Sequence, residues 1–155
     1  MLKAVSVHIA RFAPGQLRRI LKIEGESFPA DEWPPSLFLE YAADCPLFLV
    51  AKVGRIIAGY AVTSVRGERA ELLSIAVAER FRGKGVAARL LTYTLRRLDR
   101  AEIGVMVLMV RRSNEGAIRL YRRFGFVRTH TVPGYYEDGE SAWRMKKVLS
   151  DTLSE

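Results

Sequence analysis

The sequence predicts an α+β fold: a mixed, mainly antiparallel sheet of about seven strands flanked by four helices. Three observations carry this reading. Residues 47–53, 56–65 and 70–78 are runs rich in β-branched side chains, close in series and joined by short turns, which is the pattern of an antiparallel meander. A helical repeat from Val86 to Leu98 then leads to the apolar run Val105–Val110, so a βαβ unit comes after the meander. One more helix and two more strand-like segments close the chain.

In order, Val5 to Arg11 alternates like a strand. Pro14 opens a helical stretch in which Leu17, Ile20, Leu21 and Phe28 share a face, and Pro29 ends it. Trp33-Pro34-Pro35 leads into a second helix over 36–43, with proline in the first turn where its missing N–H is harmless. Gly54-Arg55 reads as the tight turn between the first two meander strands. In the third helix Val86, Leu90, Leu91, Thr94, Leu95 and Leu98 recur at helical spacing. Ser113-Asn114 caps the fourth, whose apolar face is Ala117, Ile118, Tyr121 and Phe124, and Gly125 stops it. Two strands, 127–136 and 141–148, meet at a hairpin-type turn over Glu137-Asp138-Gly139-Glu140. No repeat or linker interrupts the pattern, so residues 1–149 read as one domain and 150–155 as a polar tail.

Composition narrows the function. With 155 residues and 49% apolar side chains the chain can bury a core without staples. Cys45 is its single cysteine and His8 and His130 its histidines, so neither an internal disulfide nor a structural zinc site is expected. No run approaches the ~20 apolar residues of a membrane span, and the first residues are too polar for a signal sequence, so a cytoplasmic protein with no membrane partner is expected. Residues 80–128 hold 13 basic and three acidic side chains, a net +10, while the rest of the chain sums to −2. Nucleic acid, a multiply phosphorylated cofactor and a merely solvated face all fit such a stretch.

The most informative segment is Leu73-Ser74-Ile75-Ala76-Val77, then Arg82-Gly83-Lys84-Gly85-Val86-Ala87, then the third helix. Glycines let the backbone turn sharply and a ligand approach it, and the free N–H groups of a helix start favour an anion. A diphosphate suits this best, with Arg82 and Lys84 adding charge. The spacing fits neither a P-loop nor a dinucleotide fingerprint. A plain turn before a helix is the alternative.

The segment 82–87 matches the Arg/Gln-x-x-Gly-x-Gly/Ala loop that binds acetyl-CoA in the GNAT superfamily of N-acetyltransferases. Ser113-Asn114-Glu115-Gly116-Ala117-Ile118-Arg119-Leu120-Tyr121 through Phe124-Gly125-Phe126 resembles the superfamily's second conserved helix. Gly134-Tyr135-Tyr136-Glu137-Asp138-Gly139-Glu140, with Phe28-Pro29 before Trp33, is similar to ribosomal-protein alanine N-acetyltransferases and archaeal N-terminal acetyltransferases. The resemblance implies an α/β/α layered GNAT fold with acetyl-CoA as cofactor. The backbone of Ile75, Ala76 and Val77 would pair with the pantetheine arm and the amides of Arg82, Gly83, Lys84, Gly85, Val86 and Ala87 would hold the diphosphate. Asn114 would contact the cofactor further on, and the Tyr121 hydroxyl would protonate the departing thiolate. Phe28, Pro29 and Trp33 on one side and Tyr135 and Tyr136 on the other would line a groove for a protein or peptide N-terminus, ribosomal proteins among the substrates. Nucleic acid drops out as a partner, since nothing resembles a recognition motif.

The chemistry asks for a base, because the attacking nitrogen must be neutral. An α-amino group has a pKa of about 7.7–8.0 and a lysine about 10.4, so the α-amine is cheaper to deprotonate by ~3.5 kcal/mol. The bacterial alanine N-acetyltransferases that the chain resembles place a glutamate where Met109 stands here, and a thioether takes no proton. Glu71 is the expected substitute, on the strand where histone acetyltransferases of the superfamily carry their base, with Glu137 and Glu140 as further candidates. Transfer to lysine or a small amine, and a non-catalytic acyl-CoA sensor, are the alternative functions. Cys45 is expected to be a buried thiol without a base partner.

Overall fold

The computed structural model describes residues 5–149. Its strands are β1 (His8–Arg11), β2 (Leu47–Val53), β3 (Ile56–Arg66), β4 (Arg69–Val77), β5 (Val105–Arg111), β6 (Val127–Val132) and β7 (Ala142–Val148). Its helices are α1 (Leu17–Ser27), α2 (Pro35–Asp44), α3 (Val86–Arg100) and α4 (Glu115–Arg123). The strands form one sheet in the order β1-β2-β3-β4-β5-β7-β6, antiparallel throughout except between β4 and β5. The expected mixed sheet with four helices is what the chain forms. Among the described residues no helix is long and apolar enough to cross a membrane.

Neighbouring residues of a strand face opposite sides of the sheet, so β3 reports both layers. Tyr60 packs edge-to-face on Phe38 of α2, 5.7 Å between ring centroids. A Cβ on Gly59 would meet Val86 and Leu90 of α3 at 3.3 and 3.4 Å. Helix α2, with α1 beside it, therefore covers one face and α3 the other. The β4-α3-β5 and β5-α4-β6 crossovers advance across the sheet in the same sense, and right-handed connections put α4 on the α3 face. Helices α3 and α4 bury the centre of the stripe their spacing predicts, whereas α1 buries Ile20, Ile23 and Glu24 and leaves the expected Leu17, Leu21 and Phe28 half-buried. In α3 the buried residues are Val86, Leu90, Leu91, Thr94 and Leu98, with the buried Thr94 hydroxyl donating to the Leu90 carbonyl at 2.9 Å.

Three boundaries differ from the sequence reading by more than one residue. Strand β1 starts at His8 rather than Val5: its register runs only from His8↔Lys52 to Arg11↔Leu49, residues 5 and 6 lie beyond the end of β2 at Val53, and Val7 O accepts from Arg89 Nη2 of α3 at 3.4 Å instead. Pro14–Gln16 is a 3-10 turn, and the α-helix proper begins at Leu17. Strand β6 stops at Val132 instead of reaching Tyr136: Pro133 has no N–H to offer β7, and Gly134 turns the chain at φ 61°. Residues 133–141 are consequently a loop containing a tight turn, Gly139 N–H to Tyr136 O at 2.9 Å, rather than a short hairpin. The expected tail 150–155 lies outside the described residues.

One irregularity shapes the rest. Strands β4 and β5 pair only from Arg69↔Val105 to Leu72↔Leu108. Beyond that point β4 stays with β3, β5 stays with β7 as far as Arg111↔Ala142, and the two part. The β3/β4 register jumps at the same level, from Thr63↔Leu72 to Val62↔Ser74, so Leu73 is an extra residue in β4. Such a bulge bends and twists the strand that carries it. The result is a V-shaped gap in the sheet.

Candidate active site

The gap exposes a row of main-chain groups. Ala78 N–H donates to Ala58 O at 2.7 Å, and the register continues as Tyr60↔Ala76, so Ala76 turns its backbone toward β3. By alternation Ile75 and Val77 turn theirs into the gap, where β5 no longer reaches. A sheet edge open in mid-sheet is a place for an extended, hydrogen-bonding ligand.

At the wide end of the gap lies the glycine loop. A 3-10 turn over Glu79–Phe81 buries Phe81 as an anchor, and residues 82–85 emerge exposed. Gly83 and Gly85 sit at φ 74° and 81°, left-handed conformations that L side chains rarely adopt, and no atom lies within 4 Å of either site where a Cβ would stand. Helix α3 starts at Val86 without a side-chain cap, and its first i to i−4 bond runs from Arg89 N–H to Gly85 O. The N–H groups of Val86, Ala87 and Ala88 are thus left for a ligand, at the positive end of a 15-residue helix. Arg82 does something other than project into this cradle: its Nε donates to Val77 O at 3.1 Å and its Nη2 to Ser27 Oγ at 3.2 Å. Lys84 Nζ stands 5.8 Å from the centre of the Phe81 ring.

At the narrow end stands Glu71, half-buried on β4 opposite Ser64 of β3 and Val107 of β5. It lines an open hollow of about 430 Å³ together with Tyr41, Ser64, Arg66, Arg69 and Leu73. Met109 lies two residues beyond Val107 on β5 and is also half-buried. Tyr121 is buried on α4, edge-to-face with Phe126 at 5.9 Å, and burial pushes its phenol above the usual tyrosine range. Asn114 caps α4, its Oδ1 accepting from Ala117 N–H at 3.2 Å, which leaves its side-chain NH2 for other partners.

The expected acceptor residues fall on two loops. Phe28, exposed Pro29 and Trp33 belong to the α1–α2 connection, where Trp33 packs on Phe38 and Tyr41 at 5.0 and 5.2 Å. Tyr135 and Tyr136 belong to the 133–141 loop, edge-to-face at 5.0 Å, with Tyr135 51% exposed and free to meet a ligand. Arg111 at the end of β5 bridges the loops through Asp31 on one and Asp138 and Glu140 on the other. Glu140 is held below the usual carboxylate range by Ser113 N–H and by Arg111, so it stays ionised and engaged. Glu137 is exposed. Cys45 is buried, as expected.

Two groups escaped the sequence reading. Glu24 of α1 is only 2% exposed, and its carboxyl is pushed up to about 7, chiefly by burial and further by Glu32, against the lowering effect of Trp33 N–H, which donates to its Oε2 at 3.0 Å. It stands four residues after Ile20 and four before Phe28, on the very stripe that marks the buried face, so the signal was present. The other is Arg111, whose partners are 80, 27 and 29 residues away in sequence; no local pattern announces them.

Residues 17–126 match the model of the acetyltransferase (GNAT) family. The chain belongs to this family. The acetyltransferase is 35% identical over 141 residues to an uncharacterised N-acetyltransferase of Methanocaldococcus jannaschii, with 90% of each chain covered. It is 32% identical over 152 residues, 94% of each chain, to the N-alpha-acetyltransferase RimI of Mycobacterium tuberculosis. Among solved structures, Ard1 from Thermoplasma volcanium superposes with a TM-score of 0.89 at 30% identity, covering 95% of the acetyltransferase and 100% of that chain.

Proposed function

We propose that the acetyltransferase transfers the acetyl group of acetyl-CoA to the α-amino group of protein or peptide N-termini by direct attack, with ribosomal proteins in the substrate class. The observation that carries this reading is the gap between β4 and β5, which joins an uncapped glycine cradle at one end to a half-buried carboxylate at the other. The residues fit a coenzyme A thioester. Val86, Ala87 and Ala88 N–H groups, with the space over Gly83 and Gly85, would hold its diphosphate, and the main chain of Ile75 and Val77 would pair with an extended amide-bearing arm. Relatives named for N-alpha-acetylation favour an α-amine over a lysine or a small amine as acceptor.

Bound acetyl-CoA supplies an acyl thioester, whose C–S bond breaks as the N–C bond to the amine forms. Glu71 takes the proton that the attacking ammonium must lose, directly or through a water, and an α-amine asks less of that base than a lysine does. An N–H of the open β4 edge, on the Glu71 side of Val77, would donate to the carbonyl oxygen as negative charge gathers on it. Tyr121 holds its phenolic proton at neutral pH because burial disfavours the phenolate, and Oη releases that proton to the leaving sulfur. Met109, at the family's glutamate position, motivates the sensor reading, but Glu71 on the neighbouring strand supplies the missing carboxylate.

Peptides differing in their first two residues, incubated with acetyl-CoA and mapped by mass spectrometry, test the acceptor: acetyl on the α-nitrogen is expected, and acetyl on lysine alone or on nothing overturns the reading. Glu71→Gln is expected to lower kcat by about 10²-fold or more with coenzyme affinity kept. An unchanged kcat removes Glu71 from the reaction.

A further inference from the structure

Every ion pair among the described residues is made by Arg111, which holds three carboxylates at once. Its Nε donates to Asp31 Oδ2 at 3.1 Å, and its Nη2 also reaches that oxygen. Its Nη1 donates to Glu140 Oε1 at 2.8 Å and to both oxygens of Asp138 at 3.1 and 2.9 Å. The guanidinium lies 4.1 Å from the centre of the Tyr136 ring. The network continues on both sides. Asp31 N–H donates to Phe28 O at 3.0 Å, Glu140 Oε2 accepts from Ser113 N–H at 2.9 Å, and Asp138 Oδ1 accepts from Glu140 N–H at 3.0 Å.

The placement matters more than the number of bonds. Arg111 lies on β5 just past the point where β4 and β5 part, two residues beyond Met109. One branch reaches the loop bearing Phe28, Pro29 and Trp33, the other the loop bearing Tyr135 and Tyr136. These loops are otherwise far apart in sequence, and a planar cation with a fixed fork of donors suits a junction of this kind better than a point charge. One guanidinium shared by three carboxylates also makes the junction cooperative: without the cation the three arms are left in surplus negative charge.

We infer that Arg111 is a positioning residue that clasps the α1–α2 and β6–β7 loops together, so that capture of the acceptor depends on it while binding of the coenzyme does not. This rests on the acceptor reading under Proposed function. The glycine cradle, Ile75 and Val77 make no hydrogen bond to the clasp; Asn114 adjoins it only through its backbone N–H to Arg111 O, a bond that substitution of the Arg111 side chain leaves in place.

Steady-state kinetics of Arg111→Gln, Asp31→Asn and the double variant, with an acetylatable peptide, test the clasp. The expected result is a rise of about tenfold or more in KM for the peptide, KM for acetyl-CoA within twofold of wild type, and a double variant no worse than Arg111→Gln alone. Arg111→Lys is expected to recover only part of the loss. Hydrogen exchange of the intact proteins gives a readout independent of turnover: Arg111→Gln is expected to speed exchange in residues 28–34 and 133–141 together, leaving 82–89 unchanged. If wild type acetylates no α-amine but the exchange result holds, the acceptor reading fails and the clasp stands. Equal changes in both KM values, additive effects of the two substitutions, or exchange altered in one loop alone each overturn the clasp.

Discussion

A buried carboxyl with one hydrogen bond is a poor place for a charge, and Glu24 is such a carboxyl. Its proton is held more tightly in the folded chain than in the unfolded one, about 7 against 4.5. The folded state therefore binds more protons between these values, and the contribution to stability, complete below about pH 4.5, is lost as pH rises through 7. Glu24→Gln keeps an acceptor for Trp33 N–H and removes the charge. We expect it to flatten that slope and to stabilise the fold at pH 8 by on the order of 2 kcal/mol after solvent screening, measured by urea denaturation at several pH values. A parallel loss of stability with pH in wild type and variant would contradict this. The sequence pointed at this residue through its place on an apolar helix stripe. The GNAT resemblance pointed at Glu71, by the strand on which histone acetyltransferases carry their base, and the structure leaves that side chain half-buried just before β4 and β5 part. The sequence could not point at Arg111, because long-range ion pairs have no period.

Elements were legible wherever periodicity and breakers agree. Strand β2 has the bounds its β-branched run dictates, and α3 buries its apolar stripe because turns of 3.6 residues leave no other face to bury. Pro133 was the missed stop in β6, a residue whose lack of an N–H should outweigh an apolar continuation. The parting of β4 from β5 was not legible at all, since register between distant strands is decided by packing rather than by either run alone. The loop before α3 was the clearest signal. Gly85→Ala is expected to cost about 1 kcal/mol of stability from its left-handed backbone and to weaken coenzyme binding, whereas Gly116→Ala, in a right-handed helix with open space, should do neither. Calorimetric titration with coenzyme A checks both; full affinity in Gly85→Ala would contradict the cradle assignment.

Across the whole molecule, the +10 stretch finds several employments rather than one partner. Arg97 and Arg100 stand in the last turn of α3, and Arg122 and Arg123 in the last turn of α4, where cations complement the helix dipole. Arg122 and Arg128 also flank the Trp143 ring at 5.4 and 4.7 Å, and Arg111 is taken by its carboxylates. What remains near the cradle is the helix start itself with Lys84 and Arg89, which line one hollow beside Gly85, and Arg80 over the Phe81 ring. Since β4 and β5 share only four paired residues, a ligand laid along the gap ties together halves of a sheet that the chain leaves parted. Coenzyme A at 100 times its Kd is expected to add about 2.7 kcal/mol and raise Tm by roughly 5–10 °C. A Tm unmoved by saturating coenzyme would place its binding outside the folded state described.

Arg82 gives this arrangement a mechanical reading. One guanidinium grips the end of β4 through Val77 O and the last residue of α1 through Ser27 Oγ, one step before Phe28. The pin thus ties α1 to the end of the parted strand, one step before the acceptor loop and apart from the Arg111 clasp.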